Sequence, residues 1–193
     1  MIRLIRPPCP DLVALQTTYK APINKQALVK AGSGKCMYCE SLVTHVYFGD
    51  VEHIRPKDLF PGLKFEWANL GYVCAKCNNA KRNKWFEETP FVDPYSEDPG
   101  ETIAAIGQWL FARPGADRGR VTIHEIQLNR PELLERRLEK LNRIQEILDL
   151  LAKAPNDAVR NALGSRIEVE LGDGAEYLLV GRAAYQHLAG VPK

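Results

Sequence analysis

The sequence predicts an α+β fold that is mainly helical, built around a small metal-stapled ββα unit. Three observations carry this. Two Cys-x2-Cys pairs, Cys36/Cys39 and Cys74/Cys77, are separated by 34 residues. β-branched and aromatic runs flank Gly49-Asp50 inside that interval, the pattern of two short strands about a turn. Farther along, Leu134, Leu138, Leu141, Ile144, Leu148 and Leu151 recur at three- and four-residue steps, the period of an amphipathic helix.

Of the 193 residues, 45% are hydrophobic and 26% charged. That is enough apolar material for a core and argues against long disorder. No apolar run approaches the roughly 18 residues of a membrane-spanning helix. The first ten residues, with two Arg and three Pro, lack the apolar centre of a secretory signal. The chain is therefore expected to be cytoplasmic, with no membrane partner. Its net charge of +2 hides an asymmetry, +7 over residues 1–84 and −5 over 85–193. A basic half joined to an acidic half suits a protein of which one part meets a polyanion.

Three segments follow from this pattern: a helical stretch over 1–35, a core over 36–90, and a mainly helical region over 91–193. In the first, helices are expected over 11–19 and 24–31, broken by Pro22. In the second, strands over 42–48 and 51–56 form a hairpin, and Pro56 ends the second strand. A loop with Asp58, Pro61 and Gly62 leads to Trp67-Ala68-Asn69-Leu70. Residues 74–84 contain no Gly or Pro and read as a short basic helix. In the third, strands are expected over 102–111 and 120–127, which places His124 on a strand's polar face. A helix over 131–153 starts at Pro131, allowed in a first turn. One or two helices follow over 156–189, around a turn at 172–174.

An odd cysteine count in a chain with no export signal argues against a disulfide framework. Two Cys-x2-Cys turns are instead a means of presenting four thiolates to one tetrahedral Zn2+. Cys9 lies outside this pattern. The interval between the pairs is about twice that of a plain zinc ribbon, so something is folded between them, and the chemistry is expected there.

These residues resemble a known family. Glu52-His53-x-x-Pro56, then Trp67-x-Asn69-Leu70, then Cys74-x-x-Cys77-Asn78-x-x-Lys81, is similar to the HNH endonuclease signature in its zinc-knuckled, ββα-metal form. The resemblance covers residues 36–85. It implies a nuclease in which His53 is the general base and Asn69 holds the loop and orients it. The residues' own chemistry agrees. His53 titrates near neutrality and suits a base for water. Glu52 and Asn78 offer hard oxygen ligands for a divalent ion such as Mg2+ or Mn2+. Neighbours on a strand point to opposite faces, so convergence of Glu52 and His53 is expected to need a twist or bulge. Here Glu52 stands in place of the commoner Asp, and Asn78 in place of His. Lys81, Arg82 and Lys84 on the basic helix, with Lys57 in the loop, are expected phosphate contacts, supported by Arg55, Lys64 and Lys76.

The outer motifs resemble a narrower group. The opening Met1-Ile-Arg-Leu-Ile-Arg-Pro, the block Glu52-His53-Ile-Arg-Pro-Lys57, the Asp93-Pro94 turn, and Ile126-Gln-Leu-Asn129 followed by Arg136-Arg137 are similar to the HNH nucleases of retron-associated and Septu-type anti-phage systems. Those act beside an ABC/SMC-like ATPase, which implies that the C-terminal helices form a docking surface. Arg136, Arg137, Lys140 and Arg143 are read as an extension of the basic track. The competing reading is a non-catalytic, zinc-stapled nucleic-acid-binding adaptor, which needs the cysteines and the basic face but neither His53 nor Asn78.

Overall fold

The computed structural model describes residues 1–43 and 49–190. Seven α-helices and four strands are present among them: α1 Leu12–Thr17, α2 Pro22–Ala31, β1 Asp50–His53, β2 Leu70–Val73, α3 Ala75–Lys81, β3 Ile103–Ile106, β4 Trp109–Ala112, α4 Asp117–Glu125, α5 Pro131–Ala152, α6 Asp157–Leu171 and α7 Leu178–Leu188. The strands form two antiparallel pairs, β1 with β2 and β3 with β4. The fold is thus α+β and mainly helical. None of these helices is long and apolar enough to cross a membrane.

Asp11 caps α1 by accepting from the Ala14 amide at 2.8 Å. Pro22 does not interrupt a helix but begins α2, where its missing N–H costs nothing. The fully buried Asn24 ties the two helices together. Its carboxamide accepts from the Asp11 amide at 3.0 Å and donates to the Asp11 carbonyl at 2.7 Å.

The strand expected over 42–48 falls mainly on residues 44–48, outside the described residues, as does His45. Residue 42 bridges Lys35, closing the first cysteine turn. The described partner of β1 is β2, in the register Asp50↔Val73, Val51↔Tyr72, Glu52↔Gly71 and His53↔Leu70. Gly71 is required there. A Cβ at this position would stand 2.1 Å from the Met37 sulfur, and Met37 donates its amide to the Tyr72 carbonyl at 2.9 Å. The first cysteine turn is therefore packed and hydrogen-bonded directly onto β2.

The strand expected over 120–127 is instead helix α4. Residues 103–112 already complete a hairpin around Gly107, whose φ is +55°. Tertiary contacts then override the β-branched run Val121-Thr122-Ile123. Thr122 is buried and its hydroxyl accepts from the Val92 amide at 2.9 Å. Gly119 lies so close to the Thr102 carbonyl that a Cβ would come within 2.4 Å. His124 is exposed on this helix, 3.0 Å from Glu125.

Helix α5 begins at Pro131 as expected, but its buried face is rotated from the predicted leucine stripe. Leu133, Arg137, Lys140, Ile144 and Ile147 are buried, while Leu138 is exposed. Arg137 and Lys140 therefore do not extend a surface track. The Arg137 guanidinium reaches the Asn129 side chain at 3.3 Å, and Lys140 pairs with Glu170 at 2.5 Å. Ile144 and Ile147 pack with Leu163 and Ile167 of α6. The main hydrophobic cluster crosses all three expected segments. It includes Met1, Leu15 and Leu28, then Tyr38, Val51 and Leu70, then Ile103, Leu133 and Tyr177. The cysteine turn also meets the C-terminal region through polar contacts. Lys35 donates to the Ala175 carbonyl at 2.8 Å, the residue 42 amide to Glu176 at 2.6 Å, and Ser41 meets the Tyr177 hydroxyl at 3.0 Å.

Candidate functional site

The four cysteines of the two pairs meet. Cys36 and Cys39 lie in the turn closed by a hydrogen bond from the Cys36 amide to the Ser41 carbonyl at 2.9 Å. Cys74 caps α3, its sulfur accepting from the Cys77 amide at 3.4 Å. All four sulfurs lie within 4.8 Å of one another, and the Cys39–Cys74 pair is 3.8 Å apart. Sulfurs bonded to one tetrahedral ion at about 2.3 Å stand about 3.8 Å apart, so the cluster has the size and chemistry of a zinc site. Arg130, just before α5, donates to the Cys77 sulfur at 3.6 Å. Burial works against the Arg130 charge, but the sulfurs of Cys77 and Cys39 outweigh it and raise its pKa. Cys9 is not part of the cluster and contacts Asn24 at 3.7 Å.

Strand β1 presents alternate residues to α3. Asp50 accepts from the Asn78 carboxamide at 3.2 Å, and Glu52 pairs with Lys81 at 2.6 Å. The Lys81 side chain is completely buried, and its ammonium also donates to the His53 carbonyl at 2.9 Å. Desolvation raises the Glu52 pKa against the opposing pull of Lys81, and lowers that of Lys81 against the pull of Glu52. The two charges are held by each other. Asn78, expected beside Glu52, meets Asp50 instead, a residue whose place after Gly49 marks it as part of a turn. Period-two alternation from Glu52 was the signal that could have found it. The half-buried Asp50 and Asn78 supply hard oxygen donors of the kind Mg2+ prefers. Glu52, on the same face, joins that set only by giving up Lys81.

His53 is buried, and its surroundings differ from those of Glu52. Its ring lies edge-on to Tyr19 with centroids 4.5 Å apart, and Nε2 is 2.9 Å from the Lys64 carbonyl. A carbonyl only accepts, so Nε2 carries the proton and Nδ1 keeps its lone pair. Desolvation lowers the His53 pKa from 6.5, keeping the ring neutral near pH 7. Against its described partner β2, β1 pairs residue for residue from Asp50 to His53, with no bulge in that ladder. Tyr19, which no motif in the sequence marks, comes from the turn after α1.

The buried Asn69 holds the loop against this histidine. Its carboxamide accepts from the Arg55 amide at 2.8 Å and donates to the carbonyls of Arg55 at 3.0 Å and Leu63 at 3.2 Å. Leu63 immediately precedes Lys64, whose carbonyl receives the imidazole proton. Of the expected phosphate contacts, Lys81 is turned inward to Glu52. Lys57 lies 3.8 Å from Asp58, and Lys84 pairs with Glu125 at 2.8 Å. Arg82 is exposed at the end of α3, where its φ is +49°.

The four-cysteine cluster, the strand histidine His53 and the helix asparagine Asn78 lie in one stretch of the chain. Residues 36–84 match the family model of the HNH endonuclease. Over a longer stretch, the chain is similar to Septu protein PtuB of Bacillus thuringiensis. The two are 30% identical in an alignment of 163 positions that covers 82% of this chain and 62% of that protein. It is also similar to Septu protein PtuB of Bacillus mycoides (strain KBAB4), at 28% identity in an alignment of 169 positions that covers 69% of this chain and 57% of that protein. The chain thus spans about three fifths of the length of these relatives.

Proposed function

We propose that this chain is a metal-dependent endonuclease that hydrolyses nucleic-acid phosphodiester bonds, acting in an anti-phage defence system beside an ABC/SMC-like ATPase. The HNH family match and the similarity to Septu protein PtuB support the class and the system. The observation that carries the catalytic reading is the state of His53. Nε2 lies 2.9 Å from the Lys64 carbonyl, which directs its proton there and leaves Nδ1 as the base, and burial lowers the imidazole's pKa. In the reaction, Nδ1 accepts a proton from water as the oxygen attacks phosphorus. Asn69 acts on this step by position, because it pins the loop that carries Lys64. Glu52 and Asn78, with Asp50 beside them, would hold Mg2+ or Mn2+, which supplies charge neutralisation at the phosphate and the leaving oxygen. Glu52 would be available for this only where its pairing with Lys81 is broken. Lys57, Arg82 and Lys84 would follow the phosphate backbone. Zn2+ on Cys36, Cys39, Cys74 and Cys77 is structural, joining the first turn to α3.

Wild-type protein is to be assayed on plasmid DNA, single-stranded DNA and RNA, with Mg2+ or Mn2+ and then with EDTA, alone and with the cognate ATPase. Metal-dependent cutting that His53→Ala abolishes, with zinc content and circular dichroism retained, is the expected result. Cutting by a clean His53→Ala preparation would remove the mechanism. No cutting of any substrate under any of these conditions would favour the binding adaptor.

A further inference from the structure

The loop that receives His53 also carries a cation held in place and left open. Arg55 lies two residues beyond His53 and is exposed. Its guanidinium carbon stands 5.4 Å from the Trp85 ring centroid and 5.9 Å from that of Phe60. These two rings pack edge to face at 5.5 Å, so the side chain rests on a two-ring shelf formed from the loop and from the segment after α3. Both main-chain polar groups of Arg55 are taken by the buried Asn69, which fixes the point from which the side chain leaves the backbone.

Three of the more buried cations near the site are already occupied. Lys81 serves Glu52, Arg6 donates to the carbonyls of Trp67 and Leu70, and Arg130 serves Cys77. Arg55 has no carboxylate or carbonyl partner for its guanidinium among the described residues. Even nearby Asp58 is engaged with Asn83 at 2.6 Å and lies near Lys57. A ring face holds a guanidinium without neutralising it. The planar fork keeps its five N–H donors free, in the geometry that matches a phosphate through two parallel bonds.

We propose that Arg55, seated on the Phe60–Trp85 shelf, is a phosphate-binding residue for a polynucleotide lying beside His53. This rests on the nuclease reading for its location and adds a substrate contact to it. A purely structural role would consist of the cation–ring contact alone, contributing at most a modest amount of stability at an exposed position.

The test compares wild type with Arg55→Ala, Arg55→Lys and Trp85→Ala in the full chain. One arm measures cleavage. The other measures anisotropy of end-labelled duplex DNA, single-stranded DNA and single-stranded RNA over a salt series without divalent ion. Arg55→Ala is expected to weaken binding and slow cutting by about tenfold or more, the value of a charge-assisted bidentate contact. The slope of log affinity against log salt should also fall by about one contact. Arg55→Lys should keep the salt slope while recovering only part of the rate, because it keeps the charge and loses the fork. Trp85→Ala should lower affinity with the slope unchanged. If wild type binds and cuts while Arg55→Ala does both equally well, the assignment is overturned and the nuclease reading stands. If Arg55→Ala lowers only the melting temperature, the contact is structural and the assignment is again overturned. If no variant cuts but binding still depends on Arg55 through the salt slope, the phosphate site stands and the nuclease reading falls.

Discussion

Replacing Lys81 by Met removes the one ammonium that faces Glu52 across 2.6 Å in the β1–α3 contact. Met keeps most of the volume of the buried stem, so the change acts on charge rather than on packing. At that separation the attraction is about 6 kcal/mol for an effective dielectric of about 20. Much of it offsets the cost of taking two ions out of water. What remains visible is the penalty for stranding one of them, and breaking a buried pair from one side costs about 3–5 kcal/mol. The assay is urea unfolding of the zinc-loaded chain at pH 7, followed by far-ultraviolet circular dichroism and extrapolated linearly. Glu52→Gln/Lys81→Met should recover a large part of the loss, because it leaves no unpaired charge. A Lys81→Met cost below about 1 kcal/mol, with no recovery in the double variant, would refute the argument that the pair is closed in solution. In the same preparations, Lys81→Met should bind Mg2+ more tightly than wild type if the ammonium and the ion compete for Glu52, which isothermal titration would read directly.

Further outcomes follow from the same contacts. Asn69→Ala removes three hydrogen bonds and leaves loop carbonyls unpaired, so a destabilisation of about 2–4 kcal/mol is expected. It should also accelerate hydrogen exchange at the Arg55 amide, and unchanged exchange there would deny Asn69 its hold on the loop. On the zinc reading proposed above, Cys74→Ser should lower the bound metal and melt the first cysteine turn together with α3, as read by metal analysis and circular dichroism. The folded pKa of His53 lies below the 6.5 of the unfolded chain. Between those values the unfolded state binds more protons, so this group's contribution to stability is full above pH 6.5 and falls as the pH drops toward the folded value. The acidic limb of the cleavage profile should likewise lie below pH 6.5, and an inflection above it would show that His53 does not set the limb.

The parts of the site that were legible in the sequence are those in which short-range spacing decides geometry. Cys36/Cys39 and Cys74/Cys77 each place two sulfurs on a single turn, and their convergence required only that the intervening chain fold back. The nearness of His53 to the loop held by Asn69 was legible for a related reason, because each residue sits in a compact motif. The facing of β1 was harder to read. Its described partner, Leu70-Gly71-Tyr72-Val73, contains a glycine that looks like an interruption, and that glycine is explained only by the Met37 sulfur lying against it. Alternation already placed Glu52 and His53 on opposite faces. The expectation that the strand would distort to unite them missed both the Glu52–Lys81 pair and the Asp50–Asn78 contact. In α4 and α5, the residues that decide burial are not the most hydrophobic ones. Gly119 and Thr122 fit where a larger side chain would not, and Arg137 and Lys140 are buried because Asn129 and Glu170 receive them.

The contacts from Lys35, Ser41 and residue 42 to the stretch between α6 and α7 give the C-terminal helices a mechanical hold on the first cysteine turn. A push or pull transmitted through α7 arrives at the same rigid corner that anchors β2 through Met37. Removing those helices to obtain a minimal domain would cut the guy-lines on one side of the cysteine cluster and leave Lys35 facing vacated ground. The tail is better treated as a lever whose short arm ends at the thiolates than as a detachable handle.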